Sequence, residues 1–174
     1  TTTATGNING QRTNAAFFHP NVSPRARWVW RAGVDQAVSI DNCRLWQGFF
    51  GPDPTGLDAT NPGTADTPAG HCAAFRWSTS TGGVEDTTIK TVTKDGTTLG
   101  TGDTGIPVTV GRFFLFDVDM REFGKVIYRI DENIVDIATT NLPNALLGWC
   151  FRVVNGNGGA AATVRLGSSW FSSN

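Results

Sequence analysis

Hydrophobic and polar positions alternate along most of this chain, in short runs separated by turn-forming residues. In residues 112–120, RFFLFDVDM, Phe114 and Phe116 fall on one face and Leu115 and Asp117 on the other, which is the period of a β-strand. No stretch of the chain has the period of an amphipathic helix. The pattern therefore predicts an all-β protein with negligible helix.

Nine runs are rich in β-branched and aromatic residues and are bounded by Gly, Pro, Asn or Asp, which is typical of strands. They are residues 26–32, 43–50, 71–77, 87–94, 112–120, 125–131, 133–138, 149–155 and 162–171. Many short strands with frequent turns predict a two-sheet antiparallel jelly-roll sandwich. Residues 51–71 are predicted to form one long loop between two of these strands.

The clearest hairpin joins residues 112–120 to residues 125–131. A three-residue loop at 122–124, with Gly124 in the left-handed conformation, would connect them. That loop sets apolar residues opposite apolar residues and an acid opposite a base: Val118 with Tyr128, Phe116 with Ile130, and Asp117 with Arg129. A slip by one residue would turn acids into the core, so the alternation specifies this register.

The next hairpin turns at Glu132 and Asn133 if the same alternation continues. This turn pairs Ile130 with Val135, Tyr128 with Ile137, and Arg129 with Asp136. Arg129 would then lie between two acids. The pattern therefore predicts a structural ion ladder of Asp117, Arg129 and Asp136 on the outward face of the sheet.

The composition indicates one globular domain. The chain has 174 residues, of which 39% are hydrophobic and 17% charged, enough for a single core. Its net charge is −1 and its basic residues are dispersed, so we expect no nucleic acid partner. No signal peptide is recognisable, and no apolar run approaches the roughly 18 residues of a membrane span, so we expect no membrane partner. Three widely spaced cysteines favour buried free thiols over disulfides: Cys43, Cys72 and Cys150.

The first 24 residues differ from the rest and are predicted to form an extended N-terminal arm ahead of a jelly-roll domain over residues 25–174. Thr, Asn and Gly dominate them, and no acid precedes Asp35. Arg12, Arg25 and Arg27 make this end of the chain basic. The arm is either solvated, as termini often are, or it is an assembly arm that docks on an acidic neighbouring subunit.

Several ordered motifs run through residues 113–167. They are VIYRIDENIVDIA, Thr139-Thr140-Asn141-Leu142-Pro143, WCFRVVN and GAAATVRLG, and upstream of them lie LWQGFFGPD, HCAAFRWST and VTKDGTTLGTGDTG. This order resembles concanavalin-A-like lectin and glucanase jelly rolls, in the versions found in bacteriophage structural proteins. The resemblance covers about residues 25–172. The Asn-Gly turn of that family stands here as Asp131-Glu132.

The resemblance implies a virion component, as a head decoration, a head fibre or a tail fibre module. Such domains bind glycans in some settings and only pack on other virion proteins in others. We therefore expect a non-catalytic virion protein that packs on other virion proteins, forms a homo-oligomer and can adsorb to a cell-surface glycan. The alternatives are a carbohydrate-binding attachment domain outside a virion and, third, a jelly-roll glycan hydrolase.

Three acids have the spacing D-x-D-x-x-E: Asp117, Asp119 and Glu122. Jelly-roll glucanases use the similar E-x-D-x-x-E, in which the first and last acids are nucleophile and acid, about 5 Å apart for retaining hydrolysis. Here Glu122 falls in a predicted loop, and Arg129 would hold the acids ionised, which opposes the raised pKa of an acid catalyst. We expect no catalytic residue and no cofactor. Asp117 and Asp119 are weak calcium candidates beside the ion-pair interpretation.

Six tryptophans are expected mainly in the core, because aromatic residues dominate sandwich cores. They are Trp28, Trp30, Trp46, Trp77, Trp149 and Trp170. Trp46 beside Arg44 is the candidate glycan-binding pair, since in CRLWQGFF both point away from Cys43, Leu45 and Phe49.

Overall fold

The computed structural model describes residues 8–12, 19–20, 26–37, 43–51, 67–79, 85–155 and 162–173. These ranges hold eleven strands: β1 (Ile8–Arg12), β2 (Ala26–Ala37), β3 (Cys43–Phe50), β4 (Cys72–Ser78), β5 (Lys90–Lys94), β6 (Leu99–Asp103), β7 (Phe113–Asp119), β8 (Val126–Ile130), β9 (Asn133–Ala138), β10 (Gly148–Asn155) and β11 (Ala162–Ser173). The same ranges contain no helix, and hence none that could cross a membrane.

The strands form two antiparallel sheets that pack face to face. One sheet has the order β1-β10-β3-β4-β5-β6, and the other has the order β11-β2-β7-β8-β9. The predicted all-β, two-sheet sandwich is confirmed, and each of the nine predicted runs contains a strand. Two edge strands, β1 and β6, were not predicted.

The main core lies between the sheets and follows the period-two alternation of their strands. In β2 the inward residues include Trp28 and Trp30, whose rings stack with centroids 3.8 Å apart. Trp30 also stacks on Phe116 of β7, at 5.7 Å. The opposite sheet contributes Phe49 and Phe75, which meet these rings edge-on. Aromatic packing of this kind explains why most of the tryptophans are buried.

The β7–β8 hairpin has the register that the sequence predicts. Val118 pairs with Tyr128, Phe116 with Ile130, and Asp117 with Arg129. Gly124 has a φ of 75°, as expected for the left-handed position of its loop. The outward face of β7 therefore carries Asp117 and Asp119.

The β8–β9 hairpin corrects the predicted ion ladder. The turn is at Asp131 and Glu132, with φ values of 50° and 69°, which is where the family resemblance places it. Arg129 therefore pairs with Ile134, and a bulge then sets Asp136 opposite Tyr128, on the inward face. The prediction that Asp136 flanks Arg129 is wrong, because the turn comes one residue earlier than predicted and the bulge then adds a residue to β9.

The N-terminal segment is also corrected in part. Residues 8–12 form the edge strand β1, with Ile8 opposite Val154 and Arg12 opposite Cys150 of β10. Arg27 lies inside β2 and belongs to the sandwich. Arg25 and most of the predicted arm lie outside the described residues, so docking of the arm on a neighbouring subunit stays a prediction.

Candidate functional site

A groove of about 490 Å³ opens on the outward face of the five-stranded sheet. Strands β2, β7, β8 and β11 and the β8–β9 turn supply its lining residues, which are Arg27, Val29, Leu115, Asp117, Arg129, Glu132 and Trp170. Alternation explains why polar groups gather here, because the neighbours of these residues in each strand point into the core. The groove combines one large aromatic side chain with charged groups from three parts of the chain.

Arg27 and Asp117 form the centre of the groove. Arg27 donates from Nε to Asp117 Oδ1 at 3.0 Å and from Nη2 to Asp117 Oδ2 at 2.7 Å. Arg129 Nη1 donates to the same Oδ2 at 3.0 Å and to Asp119 Oδ2 at 3.3 Å. Paired hydrogen bonds between a guanidinium and a carboxylate fix both groups in one plane, so the network holds its geometry before any ligand arrives.

Arg121 completes the network beside the groove. It donates to both carboxylate oxygens of Asp119, from Nε and Nη2, each at 2.9 Å. Three arginines thus face two acids, where the sequence predicted two acids around one arginine. The ion pair between Asp117 and Arg129 is confirmed, and the second acid that contacts Arg129 is Asp119 of β7 and not Asp136 of β9.

The charges of this network stabilise one another. Burial alone would raise the pKa of Asp119, but hydrogen bonds from Arg121 and Arg129 outweigh it, and the pKa lies below its ordinary value. The hydrogen bond to Asp117 raises the pKa of Arg27, and the hydrogen bond to Asp119 raises the pKa of Arg121. Asp119, Arg27 and Arg121 therefore stay charged through the physiological range.

Trp170 forms one wall of the groove and was not singled out from the sequence. Its side chain is 51% exposed, and the Arg27 guanidinium lies 5.2 Å from the centroid of its ring. From Leu166, which faces Ala32, strict alternation would turn Trp170 inward. A bulge between Leu166 and Ser169 adds one residue, so Trp170 pairs with Val29 and faces outward.

The predicted sugar-stacking pair, Trp46 and Arg44, does not form an accessible surface, and that prediction is wrong. Trp46 is fully buried, and Arg44 is buried as well. Trp46 packs edge-on against Phe50, with the Arg76 guanidinium 5.8 Å from its ring. Trp46 does lie on the opposite side of β3 from Cys43, Leu45 and Phe49, which belong to the main core; the alternation had left open which of the two faces is inward. The outward face of the six-stranded sheet is itself buried here, in a second apolar cluster of Trp46, Phe50, Cys72, Ala74, Val92 and Cys150.

The third acid of the D-x-D-x-x-E spacing, Glu122, lies in a different environment from Asp117 and Asp119. Glu122 lies in the β7–β8 loop, with its side chain 63% exposed, and pairs with Lys125 at 2.7 Å. Asp117 and Asp119, the calcium candidates, contact arginines. Among the described residues no three His, Cys, Asp or Glu side chains are grouped for a metal ion.

Comparison with solved structures shows what the fold resembles. The alginate lyase AlyC3, in complex with dimannuronate, matches with a TM-score of 0.64 at 10% identity, over 98% of this chain and 72% of that one. A β-glucanase of Bacillus licheniformis matches with a TM-score of 0.55 at 12% identity, over 84% of this chain and 65% of that one. Carbohydrate binding module CBM66 of Bacillus subtilis matches with a TM-score of 0.50 at 9% identity, over 86% of this chain and 75% of that one.

The fold is a concanavalin-A-like jelly roll. At these identities the likeness concerns the fold, and this chain spans just under two thirds of the glucanase. No family model and no curated protein sequence matches the chain. Function therefore has to be argued from the groove itself.

Proposed function

We propose that this jelly roll is a non-catalytic carbohydrate-binding module, and that the groove beside Trp170 takes the glycan. The observation that carries the proposal is the half-exposed Trp170 ring, set against an ordered row of charged groups. The apolar face of a sugar ring packs on an aromatic side chain, while its hydroxyls bond to fixed polar groups. Ligand sites commonly combine an apolar wall with a few placed polar groups in this way.

The charges in the groove favour a neutral glycan. Arg27 and Arg129 are balanced by Asp117 and Glu132, and Arg121 is balanced by Asp119. A carboxylate or sulfate on the ligand would have to displace Asp117 from its bidentate arginine. Neutral hydroxyls can instead bond to the edges of groups that are already paired.

The absence of catalysis is part of the proposal. A retaining glycosidase needs one carboxyl of raised pKa and a second carboxylate as nucleophile. Here arginines hold Asp117 and Asp119, the pKa of Asp119 lies below its ordinary value, and Glu122 is in an exposed loop. Incubation with soluble glucans and alginate tests this directly, and release of reducing or unsaturated sugar ends would overturn it.

We further propose that the module is displayed on a virion, where it packs on other virion proteins as a homo-oligomer. The ordered motifs of residues 113–167 support this placement by their resemblance to phage structural proteins. Peptide mass spectrometry of purified virions tests it. We expect the chain at a fixed copy number per particle, and its loss from washed particles would contradict the placement.

A glycan array on the purified chain tests the binding proposal, followed by calorimetry on the glycans retained. Replacing Trp170 by Ala should weaken binding by at least about tenfold, because buried aromatic anchors carry much of the binding energy in such sites. Phe123→Ala is the matched control, since Phe123 is an exposed aromatic residue in the β7–β8 loop that does not line the groove. An array without any retained glycan, or equal loss in both variants, would refute the groove.

A further inference from the structure

A second cleft lies at one edge of the sandwich, between β5–β6 of one sheet and β8–β9 of the other. It has a volume of about 270 Å³. Its polar lining includes Thr91, Thr93, Asp136, Thr139 and Thr140. The Asp136 that the β8–β9 bulge turns inward is therefore the acid of this cleft.

Two glycines of β6 line the cleft. Strand β6 reads LGTGD, with Gly100 and Gly102 facing the other sheet. A Cβ atom at Gly102 would overlap Asp136 Oδ2, and one at Gly100 would lie 2.8 Å from Thr93 Oγ1. A side chain at either position would collide with these polar groups, so glycine at both positions allows the cleft wall to keep this arrangement.

Some hydrogen-bonding groups that line the cleft have no partner within the described part of the protein. The Thr91 hydroxyl donates to Asp136 Oδ2. Asp136 Oδ1 and Thr93 Oγ1 have no hydrogen-bond partner among the described residues, although the Thr93 residue is only 3% exposed. Oxygens that line a cleft and have no protein partner can form hydrogen bonds to a hydroxylated ligand.

We propose that this cleft binds one sugar residue or a short polyol, independently of the groove. A carboxylate oxygen accepts from a ligand hydroxyl, and a threonine hydroxyl can both donate and accept. The volume is below the roughly 300–1,000 Å³ of drug-sized sites, which fits one ring and excludes an oligosaccharide. Tyr128 is fully buried, and its hydroxyl donates to the Val92 carbonyl at 2.9 Å, so recognition here rests on hydroxyl groups without ring stacking.

An NMR titration of the ¹⁵N-labelled full chain with glycerol and with methyl α-D-mannopyranoside tests the proposal. We expect saturable shifts at the amides of Gly100, Gly102 and Asp136. Thr93→Val keeps the side-chain shape and removes the hydroxyl, so it should weaken binding by about tenfold while the melting temperature stays near that of the wild type. Thr109→Val, at an exposed loop residue, is the control and should bind as the wild type does.

The outcomes separate this cleft from the groove. In Trp170→Ala the cleft amides should shift as in the wild type, even where glycan-array binding is lost. The proposal is overturned if neither probe gives saturable shifts, if Thr93→Val binds with unchanged affinity, or if Trp170→Ala abolishes the cleft shifts. If only the glycan-array binding is absent, the proposal for the groove is refuted and the proposal for the cleft is unaffected.

Discussion

Arg27 of β2 holds Asp117 of β7 through two hydrogen bonds, although the two residues are 90 positions apart in the chain. Asp117 is almost completely buried beneath this contact. The pair links β7, the central strand of the five-stranded sheet, to its neighbour β2, and both residues line the groove.

Loss of this pair should cost measurable stability. Arg27→Ala leaves a buried carboxylate with Arg129 as its remaining partner, so the free energy of unfolding should fall by about 1–3 kcal/mol. Urea unfolding measures the change. Arg31→Ala, in the same strand and on the same face but exposed, is the control and should cost less than about 0.5 kcal/mol. Equal effects in the two variants would mean that the pair does not stabilise the sheet.

Acid should destabilise the protein partly through Asp119. Its folded-state pKa lies below the ordinary value, so the unfolded chain takes up the proton first as the pH falls. The contribution is fully present above about pH 4 and is lost as the pH falls towards the folded-state pKa. Asp119→Asn should therefore be less stable near neutrality and should lose less stability on acidification. Urea unfolding across acidic pH measures this, with the exposed Glu85→Gln as control; an unchanged slope in Asp119→Asn would contradict the assignment.

A glycine in the β8–β9 turn should make the protein more stable. Glu132 has a φ of 69°, a conformation that costs an L-residue about 1–2 kcal/mol and costs glycine little. Glu132→Gly should raise the free energy of unfolding by up to about 1 kcal/mol, since part of the gain is offset by the freer unfolded chain. Glu122→Gly, in the other hairpin loop and without a positive φ, should give no gain. Thermal unfolding of both variants decides the matter, and a lower melting temperature for Glu132→Gly would show that its side chain matters more than its φ.

The three thiols should be unreactive in the native protein. All three are buried, and none of them forms a disulfide. Burial raises the pKa of Cys43 to about 11, and it raises the pKa of Cys72 well above its ordinary value, so few thiolates exist at mildly alkaline pH. Ellman's reagent should label the native chain slowly and the guanidinium-unfolded chain rapidly. Rapid labelling of one thiol in buffer would show that its strand opens readily.

The sequence was sufficient to predict the strands in which hydrophobic and polar residues alternate strongly. In the β7–β8 hairpin, a slipped register would bury Asp117 and Asp119 in the core, so the pattern excludes it. The edge strands β1 and β6 escaped prediction, because INGQR and LGTGD have few of the β-branched and aromatic residues by which strands are recognised.

The groove could be predicted only in part, because bulges break the alternation on which the prediction rests. In β9, one extra residue between the partners of Arg129 and Tyr128 turns Asp136 to the inner face. In β11, one extra residue after Leu166 turns Trp170 to the outer face. No glycine or proline marks the β8–β9 bulge, whereas the β11 bulge contains Gly167, and a glycine inside a strand often indicates a bulge. The burial of Trp46 was missed for another reason, since period two cannot tell that both faces of a strand are covered.

The bulge in β11 places two adjacent aromatic residues on opposite sides of the sheet. Trp170 faces the groove, while Phe171 reaches the core and meets Phe49 edge-on, at 6.4 Å. A change in strand length by a single residue at this point would exchange their roles, hiding the indole and exposing the phenyl ring. In proteins of this shape, binding surfaces can thus arise or vanish through one-codon insertions and deletions, while every amino acid of the surface keeps its identity.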